Sequence, residues 1–411
     1  MTRIAILTGH LARQRRRASL NWVADALARQ GHRVTLVTVG HSWISWLRRD
    51  PRLAGADAPP RSGPVAPNFD TVFARSPIHP FSTRSERLDA LLRPAHSLFA
   101  RFWAPRLRHI LAHTDRVIVE SGAPLVLVPT IRRVAPHAHI TYRVNDDLRC
   151  LRAPGWLVRA EPALAAICDR VSTASPHLAA RLPHRAVTLD PMDRPDPLPA
   201  PGPDPFAPRA RIEAISAGTT QIDMAALAEL ATDRPDWRLH VVGRLRHGPP
   251  SLPPNIRLHG ECGFDDTVRM IAHADVGLAP YLDRPGVAYQ ATNSNRVALY
   301  RHFGLPILAP PAVCHPAIPA LMGWTDRAAR DRCETRPRRP EILPRWADLA
   351  ARLVQNGPTD PPEYAATPPE IALNRRSPTV PPFASTASGA SPPAASATAS
   401  SSHSRPAFEH L

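Results

Sequence analysis

The chain has 411 residues, 43% of them hydrophobic, which is too long for one ordinary core and predicts two domains. Its formal net charge of +16 would suit a nucleic-acid-binding protein. However, all 51 basic residues are arginine, and the sequence has neither an aromatic–basic RNA-binding module nor zinc-finger spacing, so we exclude nucleic acid as a partner.

The first half of the chain alternates β-branched segments with amphipathic ones. Residues 19–30 carry apolar side chains at helical spacing, and residues 88–113 predict a long helix or a pair of helices interrupted near Pro94 and Pro105. Strands are predicted at residues 3–9, 33–39, 71–75, 115–120, 139–144 and 170–174. This alternation of strand and helix favours a parallel sheet covered on both faces.

The second half repeats the pattern after a break. Residues 191–210 are rich in proline, which removes backbone donors and fixes φ, so they predict a stiff linker. Strands are then predicted at residues 212–217, 238–242, 256–259, 276–280 and 306–308. We therefore predict an N-terminal domain (1–190), the linker (191–210), a C-terminal domain (211–356) and a disordered Pro/Ala/Ser-rich tail (357–411).

The most informative segment covers residues 276–310. A strand ends at Pro280-Tyr281, and a helix opens at Asn293-Ser294-Asn295, with Arg296 in its first turn. The free N–H groups of a helix start attract a diphosphate, and an adjacent arginine adds a fixed charge. The alternative interpretation is an ordinary capped helix with a solvated arginine.

This segment resembles the donor-binding core of the bacterial β-glucuronosyltransferases of xanthan-type exopolysaccharide assembly. In that family Pro-Tyr ends the strand, Ser-Ser-Met-Lys opens the helix and Gly-Leu-Pro follows it. The present chain has, without a gap, Pro280-Tyr281, Asn293-Ser294-Asn295-Arg296 and Gly304-Leu305-Pro306. Further matches in register are Tyr142-Arg143, Asn145-Asp146, Ala217-Gly218 and Gly260-Glu261. The resemblance extends from the first strand to about Met322 and implies an α/β fold of GT-B type, with two doubly wound Rossmann-like domains facing a cleft.

The resemblance also implies that residues 1–190 form the acceptor-binding domain and residues 211–356 the nucleotide-sugar-binding domain, and it implies roles for individual residues. Asp146 falls on the family's general base, and Arg296 falls on its nucleotide-contacting lysine. The remaining nucleotide-sugar positions are Gly218, Thr219, Thr220, Glu261, Tyr281 and Asn295. Three residues of the nucleotide pocket depart from the family, because Asn295, Leu299 and Thr220 replace Met, Gln and Met. These departures leave open which nucleotide base and which donor sugar the site binds.

The residues themselves also support Asp146 as a catalytic base. It follows a predicted strand and sits beside Asp147, so one carboxylate should face the cleft and the other should point away. The alternative is a helix-capping aspartate. His10, Glu120 and Ser121 end or follow other strands of the first domain and are candidates for binding the acceptor, although such turns often only close a strand.

The implied reaction is an inverting glycosyl transfer. Retaining GT-B enzymes carry two glutamates eight positions apart, and no glutamate occurs between Ala291 and Leu299. The dispersed histidines and the poorly placed aspartates predict no metal, and no cofactor is expected. The resemblance implies UDP-glucuronate as donor and a polyprenyl-diphosphate oligosaccharide as acceptor. The alternatives are a nucleotide-sugar epimerase of the same architecture and a degenerate nucleotide-sugar-binding protein.

Two segments suggest contact with an anionic membrane surface. Residues 41–52 and 97–108 each combine tryptophan and other apolar residues with several arginines, as interfacial segments do. Core-facing aromatics would give the same pattern. No apolar stretch reaches the ~20 residues of a membrane span. With scattered cysteines and no signal-peptide core, we expect a cytoplasmic protein, peripheral on the inner face of the membrane.

Overall fold

The computed structural model of the protein describes most of the chain before residue 356. The described residues are 1–12, 17–47, 60–151, 153–184, 186–192, 194–245, 251–284 and 286–355, and they belong to one compact unit. The predicted tail and residues 48–52 of the first aromatic segment lie outside these ranges.

The first half of the chain forms an eight-stranded sheet. Its strands are β1 (Arg3–Thr8), β2 (Arg33–Thr38), β3 (Gly63–Ala66), β4 (Phe69–Phe73), β5 (Arg116–Glu120), β6 (His139–Val144), β7 (Arg170–Thr173) and β8 (Val187–Leu189). Their order in space is β3-β4-β2-β1-β5-β6-β7-β8, and every pair is parallel except β3 with β4. The order reverses between β1 and β5, so the crevice at the carboxyl ends of these strands is the expected ligand position.

Within the described residues, six helices accompany this sheet: α1 (Ser19–Arg29), α2 (Trp43–Leu47), α3 (Glu86–Leu111), α4 (Val128–Val134), α5 (Gly155–Ala166) and α6 (Pro176–Ala179). The predicted interruption of α3 is wrong, because the helix is continuous through Pro94 and Pro105. Each proline removes a helical hydrogen bond. Burial of one face offsets this cost, since Phe99, Trp103 and Leu107 are fully buried at four-residue spacing.

The burial of α3 also corrects the second predicted membrane segment. Trp103 lies in the core, and Phe102 is half-buried beneath Arg106, whose Cζ lies 3.8 Å from the ring centroid. These two aromatic side chains therefore pack within the protein, as the core-facing alternative predicted.

The second half forms a six-stranded parallel sheet. Its strands are β9 (Ile212–Ala217), β10 (Trp237–Val242), β11 (Ile256–Gly260), β12 (Val276–Leu278), β13 (Ile307–Ala309) and β14 (Leu321–Gly323), in the order β11-β10-β9-β12-β13-β14. The helices are α7 (Met224–Asp233), α8 (Phe264–His273), α9 (Gln290–Asn293), α10 (Asn295–His302), α11 (Arg327–Thr335) and α12 (Trp346–Val354). Here the strand order reverses between β9 and β12, so each sheet has a ligand crevice at its carboxyl edge.

The last helix returns to the first domain. The sequence-based boundaries group α12 with residues 211–356, whereas Trp346, Leu349 and Leu353 pack into the apolar cluster of α1 and the first sheet. Asp190, at the end of β8, holds the far end of α12 through Arg352, whose Nε lies 3.3 Å from its carboxylate. Burial would raise the pKa of the Asp190 carboxyl, but the charges of Arg143 and Arg170 and two hydroxyl hydrogen bonds lower it overall.

Replacing Asp190 with asparagine should destabilise the protein. The change removes the charge that faces Arg170 (2.9 Å) and Arg352 (3.3 Å), and breaking a buried ion pair costs roughly 3 kcal/mol of unfolding free energy. Because the folded-state pKa is lowered, this stabilisation is present above the unfolded-state pKa and is lost as the pH falls through the folded-state value. Urea unfolding should therefore show a difference in unfolding free energy between wild type and Asp190→Asn that is smaller at about pH 3 than at neutral pH.

Asp236→Asn, which removes an exposed partner of Arg211, is the control and should cost less than about 1 kcal/mol of unfolding free energy. Equal losses in the two variants would contradict this assignment.

Candidate active site between the two domains

Glu120 lies at the crevice of the first sheet and links three strand ends. Its buried carboxylate accepts hydrogen bonds from the hydroxyl of Thr8, the backbone N–H of Gly9 (3.3 Å) and the side-chain amide of Asn145 (3.0 Å). His10 Nε2 lies 3.7 Å from Glu120 Oε1, and its side chain is 43% exposed. The structure thus brings His10 and Glu120 together, with Glu120 buried and His10 open to the cleft edge.

Asp146 lies at the same edge, directly after β6. Its backbone N–H donates to the hydroxyl of Ser121 (3.2 Å), which ties the predicted base to the end of β5. The Asp146 side chain is half-buried, and its Oδ1 accepts a hydrogen bond from the hydroxyl of Tyr289 (2.8 Å) in the second domain. Ser121 therefore supports the backbone of Asp146, and the carboxylate lies where the two domains meet.

Asp147 occupies a different environment from its neighbour. It is buried and forms ion pairs within the first domain, with Arg149 and Arg181, at 2.7 Å each. Burial would raise the pKa of the Asp147 carboxyl, but the hydrogen bonds from Arg149 and the charge of Arg181 lower it overall. The adjacent carboxylates of Asp146 and Asp147 thus lie in different environments, as the alternation of side chains along an extended chain predicts.

Arg296 lies at the corresponding crevice of the second sheet. It is only 7% exposed, so the alternative of a solvated arginine on a capped helix is wrong. Its Nη2 donates to the carbonyl oxygen of Gly218 (2.8 Å), and its Cζ lies 4.8 Å from the centroid of the Tyr281 ring. Gly218 has a φ of 102°, a conformation that favours glycine, and this turn aims its carbonyl group at the guanidinium.

The start of α10 is capped by Ser294 among the three predicted cap residues. Its hydroxyl accepts from the N–H of Val297 (3.3 Å) and lies 2.5 Å from the hydroxyl of Tyr281. Asn293 ends the preceding helix, and Asn295 is the exposed first residue of α10. Tyr281 and Ser294 therefore fix the helix start on which Arg296 sits.

Thr219 and Glu261 meet the loop after β10. Thr219 donates its hydroxyl to the carbonyl of Arg244 (2.7 Å), and the N–H of Arg244 lies 3.3 Å from Glu261 Oε2. Thr220 follows with an exposed side chain. The predicted nucleotide-sugar positions thus lie along the carboxyl edge of the second sheet. Across the described ranges, no three His, Cys, Asp or Glu side chains are arranged to hold a metal ion.

Two residues of this junction, Tyr289 and Gln290, were missed by the sequence analysis, and Asn293 was predicted only as part of the helix start. The amide of Asn293 donates to the carbonyl oxygens of Val144 (3.3 Å) and Asn145 (3.0 Å), so it holds the end of β6 from the second domain. Tyr289 is 1% exposed and packs in the apolar core of the first domain. Their position just before the capped helix was the available signal, but no periodicity shows which domain a loop side chain will contact.

The sequence comparisons point to one group of enzymes. Residues 6–174 match the family described as "Glucuronosyltransferase GumK, N-terminal domain". The chain is also 27% identical, over 326 residues, to the UDP-glucuronate:glycolipid 2-beta-glucuronosyltransferase of Xanthomonas campestris pv. campestris, covering 76% of this chain and 77% of that protein. These matches confirm the resemblance inferred from the Pro280-Tyr281 and Asn293–Arg296 motifs.

Solved structures confirm the fold. The trehalose-6-phosphate synthase OtsA matches with a TM-score of 0.54 and 13% identity, covering 86% of this chain and 94% of that one. The N-terminal domain of Candida albicans trehalose-6-phosphate phosphatase matches with a TM-score of 0.52 and 12% identity, covering 86% and 92%. The chain therefore has the GT-B fold and resembles the bacterial glucuronosyltransferases inferred from its sequence.

Proposed function

We propose that the chain is an inverting, metal-independent glycosyltransferase that moves glucuronate from UDP-glucuronate to a polyprenyl-diphosphate-linked oligosaccharide in exopolysaccharide biosynthesis. The observation that carries this proposal is the placement of Asp146 against the same short segment that ends in the buried Arg296. The relative from Xanthomonas is named for a UDP-glucuronate donor and a glycolipid acceptor, which supports these substrate classes.

In the proposed reaction Asp146 is the general base. An acceptor hydroxyl, held by the first domain near His10, Glu120 and Ser121, gives its proton to the Asp146 carboxylate. The hydroxyl oxygen forms a bond to the anomeric carbon of the donor sugar as the bond from that carbon to the diphosphate oxygen breaks. The bonding electrons leave with UDP, and displacement from the opposite face inverts the anomeric carbon.

The leaving group would be stabilised by fixed charge from the second domain. Arg296 and the N–H groups at the start of α10 are preorganised, so they need no rearrangement when negative charge develops on the diphosphate. Tyr281 is 3% exposed and lies against the guanidinium, so we assign it to positioning Arg296. The nucleotide would extend along Gly218, Thr219, Thr220, Glu261 and Asn295.

A membrane-facing surface would deliver the lipid-linked acceptor to the first domain. On α2, Trp43 is 54% exposed, Trp46 55% and Leu47 77%, and Arg75 lies 5.9 Å from the Trp43 ring centroid. The outer face of α3 adds exposed Leu88, Leu91 and Leu98. None of the described helices has the length and apolar content needed to cross a bilayer. These groups instead suit peripheral attachment to an anionic leaflet on the cytoplasmic side.

Asp146→Asn tests the proposed base. The amide keeps the shape of the side chain but does not accept a proton near neutral pH, so transfer should fall by ~10²–10⁴-fold while UDP affinity is kept. The measurement is UDP release from UDP-glucuronate with and without a polyprenyl-diphosphate oligosaccharide. Acceptor-dependent release supports a transferase. Sugar interconversion without an acceptor supports an epimerase, and binding without either reaction supports a degenerate protein.

Asp147→Asn is the paired control for the base. Because Asp147 is buried between two arginines, this variant should lose stability but keep its rate per folded molecule. The reverse pattern, with transfer lost only in Asp147→Asn, would identify Asp147 as the general base instead of Asp146.

Arg296→Ala tests the diphosphate site. A charge-assisted hydrogen bond contributes about 1.5–3 kcal/mol, so UDP affinity should fall tenfold or more, and Arg296→Lys should retain part of it. Isothermal titration with UDP gives the affinity directly. Arg301→Ala on the same helix removes an arginine that bonds Glu341 at 2.6 Å and should leave UDP affinity unchanged. An unaltered affinity in Arg296→Ala would place the diphosphate elsewhere.

The double change Trp43→Ser and Trp46→Ser tests the membrane surface. Wild-type protein should sediment with vesicles of anionic phospholipid, and the double variant should sediment less, because it loses two interfacial aromatic side chains. The double change Leu258→Ser and Ile342→Ser removes exposed apolar groups from the second domain and should sediment like wild type. Equal sedimentation of all three proteins argues against this surface.

A further inference from the structure

Tyr289 belongs to the second domain in sequence but lies in the first domain in space. It ends a short 3-10 turn, Val287–Tyr289, directly before α9, and its ring is 1% exposed within the apolar cluster of the first sheet. Its hydroxyl donates to Asp146 Oδ1 at 2.8 Å and accepts a hydrogen bond from Gln290 Nε2 at 2.7 Å. The Tyr289 hydroxyl is therefore a directed polar contact in an otherwise apolar environment.

The same segment holds the backbone of the candidate base. Four residues after Tyr289, the Asn293 amide bonds the carbonyl groups of Val144 and Asn145, which directly precede Asp146. The next residues, Ser294 and Arg296, form the start of α10. One segment of eight residues thus connects the Asp146 carboxylate to the site proposed for the diphosphate.

We propose that Tyr289 is a positioning residue for Asp146: it fixes the rotation of the carboxylate, so that the base is complete only while the second domain is docked on the first. This inference rests on the proposed function, since it assumes that Asp146 accepts the proton of the acceptor hydroxyl. A hydrogen bond to a carboxylate restricts its rotation and favours its ionised form, which is the form a base needs.

The chemistry of the phenol suits this role. Burial, together with the charge of Asp146 and the hydrogen bond to it, raises the pKa of the Tyr289 hydroxyl far above its usual range, so the group stays a hydrogen-bond donor throughout any assay. Other charged or titratable groups on the described elements around Asp146 include Glu120, Asp147, Arg149, Cys150, Tyr281 and Arg284. Cys150 is not a competing base near neutral pH, because burial and the charge of Asp147 raise its thiol pKa to about 11.

Tyr289→Phe separates positioning from packing, because phenylalanine keeps the ring and removes only the hydroxyl. We expect kcat to fall about tenfold, the usual effect of losing one hydrogen bond to a charged group. The acidic limb of the kcat/KM profile should move to higher pH, since the ionised carboxylate loses a donor. UDP affinity should stay within about twofold of wild type, because the nucleotide contacts are elsewhere.

Tyr142→Phe is the matched control. Tyr142 lies on β6, the strand that leads to Asp146, and its buried hydroxyl donates to the buried carboxylate of Glu161, also at 2.8 Å. Tyr142→Phe should lower thermal stability by about as much as Tyr289→Phe does, but it should leave the acidic limb of the kcat/KM profile in place. A shift of the limb in both variants, or a fall in stability alone in Tyr289→Phe, would overturn the inference.

Two further measurements make the outcome decisive. Carbon-13 NMR of aspartate-labelled protein, with the Asp146 resonance assigned from Asp146→Asn, should show titration at higher pH in Tyr289→Phe, independently of any assay. Gln290→Met, which removes the donor to the Tyr289 hydroxyl, should shift the limb in the same direction by a smaller amount. If Asp146→Asn is inactive and Tyr289→Phe behaves as wild type, only the positioning role fails. If Asp146→Asn is fully active, the proposed base itself fails.

Discussion

The contact on which the rest of the site depends is the pair of hydrogen bonds from the Asn293 amide to the last carbonyl groups of the Asp146 strand. Each such bond contributes about 1 kcal/mol net, whereas Asn293 Oδ1 is buried with no hydrogen-bond partner among the described residues, which costs about 1–3 kcal/mol. The contribution of the Asn293 side chain is therefore close to balanced in free energy. Such a contact sets the register of the two domains without locking them together.

The protein contains two kinds of buried or half-buried charged groups: carboxylates paired with arginines, and charged groups that contact neutral side chains or backbone atoms. Asp147 is enclosed by Arg149 and Arg181, and Asp190 by several arginines, so these carboxylates stabilise the first domain. Asp146 instead faces a tyrosine, and Arg296 faces a ring and a carbonyl oxygen. A cation that is not matched to a carboxylate keeps its charge available for an anionic ligand. Arg296 thus differs from the arginines that pair with Asp147 and Asp190.

Sequence reasoning predicted the elements better than the contacts between them. The strands that lead to Asp146 and Tyr281 were predicted because their apolar runs are bounded by turn residues, and Ser294 was among the expected caps. The interruption of α3 was wrongly predicted because the two prolines were given more weight than the apolar face that the helix buries. Tyr289, and the contact that Asn293 makes with β6, were missed because their partners lie about 145 residues earlier, at Asp146 and Val144. Local patterns carry no information about such distant pairing.

The return of α12 to the first domain has a mechanical consequence. The chain crosses between the domains twice, and the two crossings are joined where Arg194 N–H meets the carbonyl of Pro344 (2.9 Å) and Trp346 N–H meets the carbonyl of Arg194 (3.0 Å). A single linker would let one domain rotate relative to the other in any direction. Two chain segments that are hydrogen-bonded side by side bend more easily about one axis than they twist. This two-segment link therefore restricts how the second domain, and Tyr289 with it, can move relative to Asp146.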